Sequence, residues 1–403
     1  MKNLTATSGL PALIGLTTLA VVLWLAPVAQ ARTYPDVPKS SWAYAAINWV
    51  TNQGPAGAKL LDDYAGTKFA PTQPLTREQL AAALVTALGD ENEAIADPVD
   101  VTDVPASDPY YHAVQVALTL RFFSLSKGSF YPTAGVAECQ ADHALVRTIE
   151  LLHPKADWSM LRTLSPSRWQ PNPGWTTGAP ARLPWEVAAR FLGLRYNHFS
   201  DPALELSPGQ DIDRAEAAYM FRAALTVPSW QLQKLSWFDQ VTLPSLSARQ
   251  RQIVSFALQY VGYPYVWGGT WPTVDSPFGL QAHGGFDCSG FVWWVLKLNF
   301  GYPIADTQRT AAQMAAAAKP RIPLSKLQPC DIIFFGPKGP KSTAASIFHT
   351  ALYLGNGWFI ESSNYFDGVT LANLDWPGWY YRSAFAWGRR VLTTAQLQAS
   401  PTS

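Results

Sequence analysis

With 403 residues the chain has room for two or three domains, and an apolar content of 48% is that of a globular protein rather than a disordered one. Thirty Lys and Arg against 29 Asp and Glu leave a formal charge of +1 with no basic block, which gives nucleic-acid binding no support. Seventeen Trp and 32 Pro suit flat, weakly charged partners such as sugars, although tryptophans equally fill cores.

Residues 1–31 carry Lys2, the charge-free run LIGLTTLAVVLWLAPVA, and Ala29-Gln30-Ala31 ahead of Arg32. A positive start, an apolar middle and an A-x-A end predict a cleavable secretory signal. The mature chain is then expected to begin at Arg32 and to work outside the cytoplasm, in the periplasm, the wall or at the cell surface, without stable membrane insertion. An uncleaved anchor is the alternative, and the run is barely long enough for one. Three cysteines cannot all pair with one another, so at least one is free or bonded outside the chain.

From Tyr34 the chain repeats itself. FAPTQPLTREQLAAALVTAL (69–88) and LSPGQDIDRAEAAYMFRAAL (206–225) share an apolar residue, a Pro, a second apolar residue and an Arg at the same offsets, then an alanine-rich helical run. FYPTAGVAECQADHALVRTI, from Phe130, keeps this pattern but has Glu138 in place of the Arg. Asp-Val-Pro turns followed by amphipathic helices precede the first two copies, at YPDVPKSSWAYAAINWV and VTDVPASDPYYHAVQVALTL, and LPWEVAARFLGL opens the third after a Trp- and Pro-rich insertion over 154–182. The copies occupy about 34–88, 101–152 and 180–226.

This pattern resembles the S-layer homology repeat. The resemblance implies an all-α bundle of three helix-loop-helix repeats over residues 32–226 that binds cell-wall polysaccharide. Carried over by position, it implies polymer binding by Thr76, Arg77 and Glu78 in the first copy and by Arg214 and Glu216 in the third. An Arg at a helix start offers a planar fork of donors to acidic glycan groups, and the alternative is that these charges only brace the helix ends. Residues 227–247, rich in Pro and Ser, are expected to be a linker.

From Ala248 the texture changes. ARQRQIVSFALQYVG reads as a helix, YPYVWGGTW as a Gly-rich turn, CSGFVWWVLKLNF and RTAAQMAAAA as helices, and DIIFFG, TALYLG, GWFIES, GVTLANL and AFAWGRRV as strands. Helices first and strands afterwards predict an α+β domain with an antiparallel sheet over 248–393, with residues 394–403 as a tail. Cys288 stands at a predicted helix N-terminus, behind the turn and cap residues Gly284, Gly285 and Asp287, where free backbone N–H groups favour an anion. A buried structural cysteine is the competing reading. A thiolate needs a base, and the hairpin HTALYLGNGWFIESS brings His349 and Glu361 to one edge of the sheet, whereas His283 lies in a Gly-flanked loop.

YPYVWGG, GGFDCSGFVWWV, LQPCDIIFF and HTALYLGNGWFIESS, in that order, resemble the NlpC/P60 family of papain-like cell-wall peptidases. The resemblance implies hydrolysis of peptidoglycan stem peptides beside D-glutamate and diaminopimelate, through a Cys thioester and without cofactor or metal. By position it implies Cys288 as nucleophile, His349 as base, Glu361 as the third catalytic residue, Tyr265 near the oxyanion or substrate, and Asp287 and Ser289 at the substrate's amine end or in support of the backbone donors. The sequence departs from the family in having Glu361 where His, Asn or Gln is usual, Cys330 for a glycine, and insertions at TWPTVDSPFGLQAHG and GPKGPKSTAAS. A cysteine amidase or acyltransferase on another substrate, and a non-catalytic wall-glycan-binding protein, remain as alternatives.

Overall fold

The computed structural model describes residues 32–61, 67–165, 178–318 and 320–398. The expected signal, part of the 154–182 insertion and the end of the tail lie outside them. Among the described residues no helix is long and apolar enough to cross a membrane.

The N-terminal part is helical. Each sequence copy contributes two helices: α1 (Tyr44–Asn52) and α2 (Arg77–Leu88), α3 (Tyr111–Thr119) and α4 (Glu138–Leu152), α5 (Leu183–Phe191) and α6 (Arg214–Leu225). Local chemistry sets the start of α2: the Thr76 hydroxyl accepts from the Gln79 N–H while the Gln79 side chain accepts from the Thr76 N–H. Asp213 caps α6 by accepting from the Glu216 N–H at 2.8 Å.

The copies close on one another in a ring. The apolar residues at matching offsets, Leu75, Val136 and Ile212, are buried at its centre. Leu75 N–H donates to the Ile212 carbonyl at 3.0 Å, Val136 N–H to Leu75 at 3.1 Å, and Ile212 N–H to Val136 at 2.9 Å. The arginines extend the same logic: Arg77 Nε donates to the Phe130 carbonyl at 2.7 Å and Arg214 Nε to the Phe69 carbonyl at 2.9 Å. Each guanidinium lies over that phenylalanine's ring, at 4.8 Å from its centroid. In the second copy Glu138 replaces the arginine and meets Arg195 instead, at 3.0 Å.

Residues 227–247 are not a free linker. They contain a short helix, Ser229–Gln233, and a 3-10 turn, Lys234–Phe238. Leu232, Leu235, Phe238, Val241, Leu243 and Leu246 are all buried, so the segment is a packed strap along the C-terminal domain. The expectation of a linker rested on its prolines and serines, but its leucines recur often enough to give it an apolar face. Helix α5 adds a second junction. Arg190 forms a buried ion pair with Asp367 at 3.2 Å, and Phe191 stacks on Phe366 at 6.1 Å.

The C-terminal domain is α+β. Helix α7 (Ala248–Leu258) begins at a Ser247–Gln250 capping box, and α8 (Cys288–Val292) continues as a π-helical turn through Asn299. After α9 (Ala311–Ala316) come β1 (Ile332–Phe335), β2 (His349–Gly355), β3 (Trp358–Ser363), β4 (Gly368–Asn373), α10 (Tyr381–Ala384) and β5 (Phe385–Arg389). They form one antiparallel sheet in the order β4-β3-β2-β1-β5. β2, β3 and β4 are buried along their whole lengths, apart from partial exposure of His349, because helix α8 packs against β2 and β3, helix α5 packs against β4, and the strap reaches Trp358 through Phe238. The insertion after Gly269 folds into two short ribbons, pairing Thr270–Trp271 with Gly285–Phe286 and Asp275–Ser276 with Gly279–Leu280. Cys330 adopts φ 73°, which explains a position where glycine is usual in the family that the sequence resembles. Its buried side chain reaches the Gln250 carbonyl at 3.8 Å.

Candidate active site

Cys288 is the first residue of α8 and is half-buried. Asp287 fixes that helix start. Its Oδ1 accepts from the Gly290 N–H at 2.6 Å, and its Oδ2 accepts from the Gly268 N–H at 3.1 Å. The Asp287 N–H donates to the Gly269 carbonyl at 3.1 Å, so the Gly-rich turn and the helix start are clamped together. The approach leaves no room for a side chain: a Cβ on Gly290 would lie 1.9 Å from the Gly269 carbonyl oxygen.

His349 and Glu361 face Cys288 from the sheet. Leu352 pairs with Ile360 and Tyr353 with Phe359. Extending that register puts Glu361 opposite Ala351, with His349 two residues along on the same face, the diagonal position at which long side chains meet. His349 Nε2 lies 2.5 Å from Glu361 Oε2. A carboxylate only accepts, so Nε2 carries the proton and Nδ1 is left for Cys288. Burial opposes the charged form of His349, but the Glu361 carboxylate and the hydrogen bond to Cys288 outweigh it and raise its pKa to about 10. Glu361 is fully buried, and its other oxygen accepts from the Tyr381 hydroxyl at 2.5 Å.

The remaining expected residues separate into two groups. Tyr265 is buried close to the thiol, and burial together with the charges of Cys288 and Asp287 pushes its hydroxyl pKa well up. Ser289 donates to Asp287 Oδ1 at 3.0 Å. His283 is turned away, its Nδ1 at 2.8 Å from the Gly284 carbonyl. In the helical part, Thr76 is an N-cap and Glu78 lies in the first turn of α2. Arg77 is 7% exposed and Arg214 0%, both bound to backbone carbonyls. Glu216 is buried against His198 Nε2 at 2.5 Å. The expectation that Arg214 and Glu216 face a polymer is therefore corrected: closing the ring turns both inward.

Two residues escaped the sequence reading. Arg309, ahead of α9, donates to Asp287 Oδ1 at 3.0 Å and Oδ2 at 2.9 Å, to Ser289 Oγ at 2.9 Å, and to the Gly268 carbonyl at 2.8 Å. Tyr381 arrives from α10. Neither carries a local signal, because each is defined by what it touches across the fold.

Residues 262–387 match the model of the NlpC/P60 family, and residues 33–81 that of the S-layer homology domain. The chain carries an NlpC/P60 domain behind an S-layer homology domain. Over 141 residues it is 31% identical to murein DD-endopeptidase MepH of Escherichia coli, covering 35% of this chain and 45% of that protein. Over 124 residues it is 33% identical to a gamma-D-glutamyl-L-lysine dipeptidyl-peptidase of Bacillus subtilis, covering 31% and 36%. A crystal structure of an NlpC/P60 family protein from Bacillus cereus aligns at 27% identity and a TM-score of 0.29, over 38% of this chain and 42% of that one. The chain thus spans less than half the length of these relatives.

Proposed function

We propose that the protein is an exported, wall-anchored cysteine endopeptidase that hydrolyses amide bonds in peptidoglycan stem peptides. The observation that carries this reading is the convergence of Cys288, His349 and Glu361 from a helix start and two strands, with the tautomer of His349 set by Glu361. Cys288 Sγ attacks the carbonyl carbon of the scissile amide, and the charge on the carbonyl oxygen is held by the N–H groups at the start of α8, with Tyr265 beside them. His349 gives the thiol proton to the departing amine as the C–N bond breaks, leaving a thioester. Water then attacks the thioester, His349 takes its proton, and the thiol and a free carboxyl are restored. A bond next to D-glutamate and diaminopimelate is the expected target, and the Bacillus subtilis relative is named for a bond that follows gamma-D-glutamate.

In the same reading the helical copies are three S-layer homology repeats that hold a wall polymer. What supports a polymer site is a groove of about 730 Å³ lined by Arg121, Arg162, Trp158 and Trp185, with Asp157 and the Arg147–Glu150 ion pair at its wall, where guanidinium groups and flat rings suit a glycan. A recess of about 360 Å³ adjoins it and reaches Arg77.

Purified muropeptides incubated with the protein and resolved by mass test the proposal. Wild type releases fragments of defined mass, Cys288→Ala releases none, and both sediment equally with isolated walls. Release by Cys288→Ala at the wild-type rate would overturn the assignment.

A further inference from the structure

The helical part buries carboxylates that the proposed chemistry does not use. Glu138 and Asp142 stand one turn apart on α4, Glu186 faces them from α5, and all three are 0% exposed. One carboxylate oxygen from each lies within 4.8 Å of the others. None of their oxygens accepts an aligned hydrogen bond from the described residues. Two of the three have a cation at hand: Arg195 Nε is 3.0 Å from Glu138, and Arg182 Nε, on a side chain 26% exposed, is 3.6 Å from Glu186. Asp142 has none. It is an orphaned, fully buried carboxylate set against the Glu138–Glu186 pair, and such a group is strongly unfavourable without a counter-charge or a proton.

Oxygens bound to a calcium-sized ion lie about 2.3–2.6 Å from it, so ligands on opposite sides are up to about 5 Å apart. Separations that are all within 4.8 Å fit one ion between the three oxygens. Charge fits as well. Three carboxylates against the buried Arg195 leave two negative charges uncompensated, since Arg190, also buried, is paired with Asp367 and Arg182 lies at the solvent-screened edge. The donors are all carboxylate oxygen, which selects calcium, magnesium or manganese over the softer metals.

We propose that Glu138, Asp142 and Glu186 bind one hard divalent cation that ties α4 to α5. The NlpC/P60 domain closes the site, since a Cβ on Gly262 would lie 2.5 Å from the Glu186 carboxylate. Helix α5 also carries Arg190, whose ion pair with Asp367 joins the two domains, so the cation braces the helix on which the NlpC/P60 domain is seated.

The test uses the full chain stripped with EDTA and titrated calorimetrically with CaCl2, MgCl2 and MnCl2, with thermal unfolding followed in parallel. One of the three salts should bind at one ion per chain and, at a hundredfold excess over its Kd, raise the unfolding midpoint by about 5 °C or more. Asp142→Asn and Glu186→Gln, each checked for native circular dichroism, should lose at least tenfold in affinity and most of the rise. The proposal is overturned if no salt produces heat or shifts the midpoint of the wild type. It is equally overturned if both variants melt higher than wild type whether or not metal is present, which would mean that a shared proton neutralises the carboxyls.

Discussion

Tyr381 donates its hydroxyl proton to Glu361 Oε1 at 2.5 Å, while Oε2 of the same carboxylate takes the His349 Nε2 proton at 2.5 Å. Glu361 is fully buried, so each of its oxygens needs a donor, and Tyr381 supplies the one that His349 does not. A carboxylate in the third catalytic position becomes tolerable here because a tyrosine from α10 reaches it.

Tyr381→Phe removes that donor without changing the packing. Losing a hydrogen bond to a buried charged group costs about 1.5–3 kcal/mol, which corresponds to a fall of roughly 10- to 100-fold in kcat/KM if the whole loss appears in the transition state. Steady-state kinetics of stem-peptide hydrolysis check this, and an unchanged rate would reduce the hydroxyl to packing.

Glu361→Gln keeps an acceptor for Nε2 but removes the negative charge that lifts His349 to a pKa of about 10. The His349 pKa should drop, and the alkaline limb should move to lower pH. Glu361→Ala loses the acceptor too and should be slower still. Wild-type behaviour of the alanine variant would leave the third role without an occupant, since Asn364, three residues further along the chain, is engaged by the Asn197 side chain instead.

Stability should follow the same pair. The folded pKa of His349 is raised above its ordinary 6.5, so the stabilisation is complete below about pH 6.5 and is lost as pH rises through about 10. Denaturant melts of the Cys288→Ala protein between pH 6 and 10, compared with the same background carrying Glu361→Gln, should show a steeper alkaline decline in the former.

Arg309→Lys keeps a charge but cannot reproduce the fork that spans Asp287, Ser289 and the Gly268 carbonyl. The start of α8 should loosen, and kcat should fall by about tenfold or more with little rescue relative to Arg309→Ala. A lysine variant at full rate would show that charge alone suffices.

Arg214→Leu should unfold the helical part more easily rather than weaken wall binding selectively, because it orphans the Phe69 and Leu61 carbonyls inside the ring. A loss of about 2–4 kcal/mol is expected from two buried acceptors. Arg162→Ala, in the open groove, should do the opposite: sedimentation with walls weakens and the melting curve stays in place.

What the sequence determined by itself is whatever depends on neighbours along the chain. Alternation and apolar runs located all five strands of the sheet, Asp287 and the glycines before it marked the helix start at Cys288, and the hairpin's length set His349 and Glu361 on one face. The repeated offsets of Phe69, Phe130 and Leu206 disclosed three copies of one pattern. Tertiary structure alone decided where the arginines of those copies point, since a guanidinium at a helix start reads the same whether it meets a glycan or the carbonyl of the next copy. It also decided that the leucines of 227–247 seat that segment as a strap, and that Tyr381 and Arg309 complete the site. Those contacts join residues 20 or more positions apart. Local periodicity carries no term for such distances; only closing the ring and stacking the sheet on α8 brings the partners within reach.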